Sequence, residues 1–209
     1  MDSVVCMGAG FSAGMGIAKS FEKEGVTGKV VFGVVGDSTF FHSGMTGAAE
    51  IVYNKGRMIP CVLDNRITGM TGHQDNPGTG YTLQGDPTAL LSVEKILTAL
   101  GFSPVRTVDP HDLKAMEAAV DQAVAALDAG QQPAIVTRRP CLLIKRDKFR
   151  KGMCRVNADK CRSCRSCLKV GCPAISLENG KAVIDRTQCV GCTVCAQVCP
   201  FDAIEKEEK

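Results

Sequence analysis

The sequence predicts an α/β domain built on a parallel sheet, followed by a small α+β domain. Three observations carry this. Short apolar runs alternate with amphipathic stretches over roughly the first two thirds of the chain. Nine of the twelve cysteines, from Cys154 onward, fall in the last 56 residues. Between the two regions, 138–151 (RRPCLLIKRDKFRK) carries seven basic residues and one acid.

The elements follow in order. SVVCM (3–7) predicts a strand, and FSAGMGIAKSFEKEG (11–25) a helix that stops near Gly25. KVVFGVVGD (29–37) is continuously apolar, the pattern of a strand buried on both faces. A helix with a glycine stop (43–56) and a strand (57–65) come next. Residues 66–86 show no periodicity and are too long for an ordinary connector, which marks a functional loop. A helix (88–99), a strand (104–108), a helix (112–129) and the strand PAIVT (133–137) complete the alternation, with helices expected on both faces of the sheet. The basic stretch 138–151 is expected to be a solvated connector with a short apolar strand, or else a docking patch for an acidic partner such as a ferredoxin. The boundary is placed between 147 and 148, giving domains 1–147 and 148–209. In the second, ISLENGKAVID predicts a hairpin turning at Asn-Gly.

Composition narrows the function classes. A net charge of +3 does not point to nucleic acid. No window approaches the ~20 apolar residues of a membrane span. The first ten residues, MDSVVCMGAG, lack a signal-peptide pattern, so a cytoplasmic location is expected. In a reducing compartment, dense cysteine points to metal or redox chemistry rather than disulfides.

The cysteines repeat. CRSCRSCLKVGCPAI (161–175) is echoed 28 residues on by CVGCTVCAQVCPFDAI (189–204). The second array is the C-x2-C-x2-C-x3-C-P run that holds a [4Fe-4S] cluster, and the first has four residues in its last gap. In such runs the cysteine before proline ligates the other cluster. Two [4Fe-4S] clusters are therefore expected. One falls to Cys161, Cys164, Cys167 and Cys199, the other to Cys172, Cys189, Cys192 and Cys195. A zinc knot would need two C-x2-C pairs around one ion, whereas each node here has three cysteines plus a fourth before proline. Cys154 lies outside both arrays and is read as structural. The tail resembles a two-cluster bacterial ferredoxin domain. One this small should be largely unfolded without its clusters.

A second motif lies at two strand ends. Gly36-Asp37-Ser38 closes one predicted strand, and Asp64-Asn65 closes the next. The carboxyl edge of a parallel sheet is where ligands bind. Hard oxygen donors there suit Mg²⁺ completed by phosphate and water. The pattern resembles the thiamine diphosphate motif, GDG followed by NN, with Ser38 in place of the last glycine and Asp64 in place of the first asparagine. The resemblance implies thiamine diphosphate as cofactor and Asp37, Asn65 and the Ile67 carbonyl as Mg²⁺ ligands.

Taken together, GDSTFFHSGMTGAAEIVYNKG, LDNRITGMTGHQDNPGTG and the tail cysteines resemble the alpha subunit of the indolepyruvate:ferredoxin oxidoreductase family, in its C-terminal half. The resemblance covers nearly the whole chain and includes the four-residue gap. It implies a thiamine diphosphate-binding domain followed by a two-cluster ferredoxin-like domain. The implied reaction converts an aryl 2-oxo acid, coenzyme A and oxidised ferredoxin to an aryl-acetyl-CoA, CO₂ and reduced ferredoxin. The competing reading is a non-catalytic electron-transfer or assembly subunit with a vestigial thiamine site. Thr71 and Gly72 are expected to line the diphosphate site. His42 and His73 are candidates for proton handling or substrate contact, against the alternative of hydrogen-bonded structural histidines. Glycines 8, 10 and 14 hint at a dinucleotide fingerprint, but their spacing is off and the close-packing alternative fits better. In that family a pyrimidine-binding half lies upstream and supplies an activating glutamate, and a beta subunit is also used. Nothing in this sequence corresponds to either, so the chain is expected to be a fragment or else to take its pyrimidine-binding half from a separate chain, and the beta subunit and an external ferredoxin are expected partners.

Overall fold

The computed structural model describes residues 2–144 and 152–207. Its contacts divide the chain into two units, residues 1–110 with 114–145, and 146–209 with 111–113.

In the first unit, helix α1 (Ala9–Lys23) leads to strand β1 (Val31–Gly36). A helical stretch follows at once, as α2 (Asp37–Thr39), a π-helical turn (Phe40–Gly44) and α3 (Met45–Tyr53). Strand β2 (Met58–Asp64), helix α4 (Val93–Leu100), strand β3 (Val105–Val108), helix α5 (Leu113–Asp128) and strand β4 (Ala134–Arg138) complete it. The four strands lie in the order β1-β2-β4-β3, and every pairing is parallel. Helices cover both faces, as expected from the alternation. Phe11, Phe40, Ile51, Met58, Val62 and Leu97 belong to the core on the α1, α3 and α4 side. Ile59, Cys61, Ala119, Ala123, Leu127 and Ile135 form the core beneath α5.

The seat of α1 explains its glycines. A methyl group on Gly10 would run into the Val34 carbonyl oxygen, and one on Gly33 would come within 2.8 Å of the Gly10 carbonyl oxygen. Helix and strand backbones therefore touch, which only glycine permits. This is the close-packing alternative to a dinucleotide fingerprint.

Two expectations need correction. Residues 3–7 form no strand: Val4, Val5 and Met7 are exposed, and among the described residues no strand pairs with them. Apolar content suggested a strand, but a strand also needs a neighbour. Nor is β1 buried on both faces. It is an edge strand, and α5 covers Ile59, Cys61 and Ile135 on β2 and β4, leaving Phe32 and Val34 40% and 48% exposed.

In the second unit, β5 (Met153–Val156) pairs antiparallel with β8 (Ile204–Glu207). β6 (Ile175–Glu178) pairs antiparallel with β7 (Lys181–Ile184). The β6–β7 hairpin is the one expected: Asn179 and Gly180 both carry positive φ, as a type I′ turn requires. A 3₁₀ turn (Ser166–Val170) and helix α6 (Val194–Gln197) hold Cys167 and Cys195. Four of the eight buried residues in this core are cysteines, Cys154, Cys161, Cys167 and Cys195. Half of the expected connector, 145–151, lies outside the described residues; of the rest, Arg138 ends β4 and 139–144 form no strand. Among the described residues no helix is long and apolar enough to cross a membrane.

Candidate functional site: two strand ends and two cysteine nodes

In the parallel pairing of β1 with β2, Gly36 stands opposite Leu63. The next residue of each strand, Asp37 and Asp64, therefore emerges at the same carboxyl edge. Both are 3% exposed. Asp37 opens the helical stretch that follows β1, where free backbone N–H groups gather, and Ser38 N–H donates to its Oδ1 at 2.7 Å. Burial and the neighbouring Asp64 carboxylate push Asp37 up to about 6, against the Ser38 and Asn76 hydrogen bonds.

The Asp64 charge is taken up by arginine. Arg138 Nε lies 2.7 Å from its Oδ2 and Arg66 Nε 3.4 Å. Arg138 also reaches Glu94 at 2.6 Å, and Glu94 accepts from Ser92 and Thr107. Burial works against ionisation of Glu94, but those hydrogen bonds outweigh it and hold the carboxyl at about 2.

Asn65 is exposed just past β2, and its Oδ1 accepts from Ile67 N–H at 3.1 Å. Ile67 is buried. Backbone beyond β4 runs alongside, with Arg139 N–H donating to the Asp64 carbonyl and Cys141 N–H to the Asn65 carbonyl. Thr71 and Gly72 sit in an exposed turn closed by a Thr68–Gln74 bridge, where Thr71 Oγ1 is 2.5 Å from Gln74 Oε1. His73 stands in that turn at φ 66°, exposed, and His42 is exposed on the π-helical turn.

Two participants escaped sequence reasoning. Asn76, 6% exposed, donates to Asp37 Oδ2 at 3.4 Å while its Oδ1 accepts from Gly78 N–H at 2.9 Å. Gly78 packs on Phe41, where an added methyl would come within 2.9 Å of the ring. The Asn-Pro-Gly sequence signalled a tight turn but not what it would touch. Arg138 is the other, 74 residues from the carboxylate it serves. A buried carboxylate beside a second one, with an amide and a backbone carbonyl on the next strand's exit, is a hard-oxygen set of the kind Mg²⁺ takes.

The cysteines form two groups. Cys161, Cys164, Cys167 and Cys199 line one apolar pocket with Leu177 and Phe201. Cys195 is near Cys154, Cys172 and Cys192, and Cys154 N–H donates to Cys189 Sγ at 3.3 Å. The arrays repeat at the backbone level. Ser163 and Arg165 in the first, and Gly191 and Thr193 in the second, all have positive φ. Three of these are not glycine, and each costs about 1–2 kcal/mol, a strain that aims backbone N–H groups inward. Hydrogen bonds from the Ala182 and Ser163 backbone hold the Cys161 thiol below its usual range, and Ser166 does the same for Cys164. Ala203 N–H donates to Cys199 Sγ at 3.4 Å. Burial pushes Cys195 up to about 12. Among the described residues no three His, Cys, Asp or Glu side chains converge on a single-ion position. Cysteine sulfurs that accept N–H bonds, four of them around one pocket, fit iron–sulfur ligation.

Residues 1–137 match the thiamine pyrophosphate enzymes, C-terminal TPP binding domain, and residues 182–205 match the 4Fe-4S binding domain. Among curated proteins, the chain is 38% identical over 222 residues to the indolepyruvate oxidoreductase subunit IorA of Pyrococcus abyssi, covering 99% of this chain and 34% of that protein. It is 39% identical to the IorA subunit of Thermococcus kodakarensis, covering 98% of this chain and 34% of that protein. The chain thus spans about a third of the length of these relatives. Among solved structures, 2-oxoglutarate:ferredoxin oxidoreductase from Magnetococcus marinus shares the fold, with a TM-score of 0.52 at 17% identity over 64% of this chain and 45% of that one.

Proposed function

The chain belongs to the thiamine pyrophosphate enzymes through their C-terminal TPP-binding domain, and from that premise we propose that it is the cofactor-binding and electron-carrying part of an indolepyruvate:ferredoxin oxidoreductase. When bound, thiamine diphosphate supplies the electron sink for loss of CO₂ from a 2-oxo acid, and the clusters take up electrons one at a time.

The chain's own residues have separate tasks. Asp37, Asn65 and the Ile67 carbonyl hold Mg²⁺, with Gly36 and Ser38 shaping the helix N-terminus toward the diphosphate. Thr71 and Gly72 offer hydroxyl and backbone along the same edge. Asn76 steadies Asp37, and Arg138 with Arg66 neutralises Asp64 so that one carboxylate, not two, faces the metal. His42 and His73, both exposed, are free to meet substrate or exchange protons. In the tail, Cys161, Cys164, Cys167 and Cys199 hold one [4Fe-4S] cluster, and Cys172, Cys189, Cys192 and Cys195 the other. The domain boundary lies at 147/148. The expected partners are coenzyme A and indolepyruvate as substrates, an external ferredoxin as acceptor, a pyrimidine-binding half and a beta subunit. Cysteines that serve as cluster ligands suit a reducing, cytoplasmic setting.

The observation that carries this reading is the pair of buried strand-end carboxylates, only one of them neutralised by arginine, on the same chain as two four-cysteine nodes. It is tested by calorimetric titration of thiamine diphosphate with and without Mg²⁺. Binding should require Mg²⁺ and vanish in Asp37→Ala while the iron content stays unchanged. Undiminished affinity in that variant would refute the ligand assignment.

A further inference from the structure

The two cysteine nodes are related by a shift of 28 residues, and one position breaks the repeat. Cys161 corresponds to Cys189, Cys164 to Cys192, Cys167 to Cys195. By the same shift, Cys154 on β5 corresponds to Ala182 on β7. Their backbones do the same work. Ala182 N–H bonds to Cys161, and Cys154 N–H bonds to Cys189 Sγ at 3.3 Å. Their side chains do not. Ala182 ends in a methyl group, whereas Cys154 carries a thiol, 2% exposed, within hydrogen-bonding reach of the Cys195 sulfur and of the Thr193 N–H. Cys192 is near it as well. One node therefore has four sulfurs and the other five.

We infer that Cys154 is a positioning residue of the Cys172–Cys189–Cys192–Cys195 node, whose thiol donates a hydrogen bond to a ligand sulfur and raises that cluster's potential. This rests on the two-cluster reading above. Cys154 is not needed as a ligand, because Cys172, Cys189, Cys192 and Cys195 already supply four. With those four on iron, Cys195 is a thiolate that can only accept, so the S–H of the neighbouring thiol becomes the donor. Hydrogen bonds to cluster sulfurs, like burial and charge, set the potential. A donor stabilises the more negative reduced cluster and so moves its potential upward. The Ala182 and Cys154 N–H donors match across the repeat, whereas Arg162 and Arg165 line the first node and Lys181 and Lys169 act on Cys161 and Cys164, so the contribution of the thiol is what its removal takes away. The thiol therefore makes the cluster beside Cys154 more positive than the same cluster without it.

The test is a reductive titration of the full chain, prepared anaerobically and followed by low-temperature EPR, on wild type, Cys154→Ala, Cys154→Ser and Ala182→Cys. Wild type should hold about eight irons and show two cluster signals; a count near four would fail the two-cluster reading itself, before any variant is compared. With eight irons present, Cys154→Ala should move one cluster to a more negative potential and leave the other unmoved. Cys154→Ser, which keeps a donor, should stay near wild type. Ala182→Cys should move the other cluster upward. Unmoved potentials in both Cys154→Ala and Ala182→Cys would overturn the inference. Loss of half the iron in Cys154→Ser would overturn it too, because a residue that only tunes leaves the cluster in place.

Discussion

Asp37 and Asp64 emerge side by side from neighbouring strands, equally buried, and their surroundings give them different work. Arg138 and Arg66 neutralise Asp64, while Asp37 has only neutral donors and is held up to about 6 by burial and its neighbour's charge. Arg138 does this while anchored to Glu94, whose carboxyl is held at about 2. Because that value is depressed from the ordinary 4.5, the pair contributes its full stability above pH 4.5 and loses it as pH falls toward 2. Glu94→Gln should therefore cost about 3 kcal/mol at pH 7, and less than half of that at pH 3. Urea unfolding of the first unit at the two pH values measures it, and equal costs at both would contradict the role given to Glu94. The sequence made Asp37 and Asn65 legible because both sit at strand ends a readable distance apart. Asn76 and Arg138 were not legible, since each reaches its partner through space from another element. Cys154 was half legible: the 28-residue repeat that aligns it with Ala182 was visible, but its contact with the second node was not.

At the scale of elements, helix α1 offers two glycines in contrasting settings. Gly10 lies against the β1 backbone, while a methyl on Gly16 would meet nothing within 4 Å. Gly10→Ala should destabilise by about 1–3 kcal/mol as the helix is pushed off the strand. Gly16→Ala should stabilise by about 0.4–1 kcal/mol by restricting the unfolded chain. Thermal denaturation of the two variants decides it, and shifts of the same sign would mean that α1 does not seat on β1 as described. Periodicity located α1, the four strands of the sheet and the Asn-Gly hairpin to within a few residues. It failed where burial depends on neighbours. Residues 3–7 have strand composition without a partner, and β1 looks doubly buried until its edge position is known. The helix after β1 begins at Asp37, six residues ahead of its apolar periodicity, because a π-helical turn at Phe40–Gly44 interrupts the 3.6-residue pattern.

At the scale of the whole molecule, the two units have different sources of stability. The first has two apolar cores around a sheet. Half of the buried residues in the second unit's core cluster are cysteines, so its stability depends on what those sulfurs bind. Removing iron with a chelator under oxidising conditions should abolish protection from hydrogen exchange in 152–207 and leave 30–138 protected. Retained protection in the tail would mean that it folds without clusters. Under the proposed function, electrons pass from the thiamine site of the first unit to the clusters of the second. The most direct measurement uses the chain in its complete complex, isolated anaerobically with thiamine diphosphate, Mg²⁺ and coenzyme A, and follows the visible absorbance of the clusters when indolepyruvate is added. Bleaching by indolepyruvate in wild type, and by dithionite alone in Asp37→Ala, is the predicted result. Bleaching by indolepyruvate in Asp37→Ala, or by dithionite alone in wild type, would contradict it.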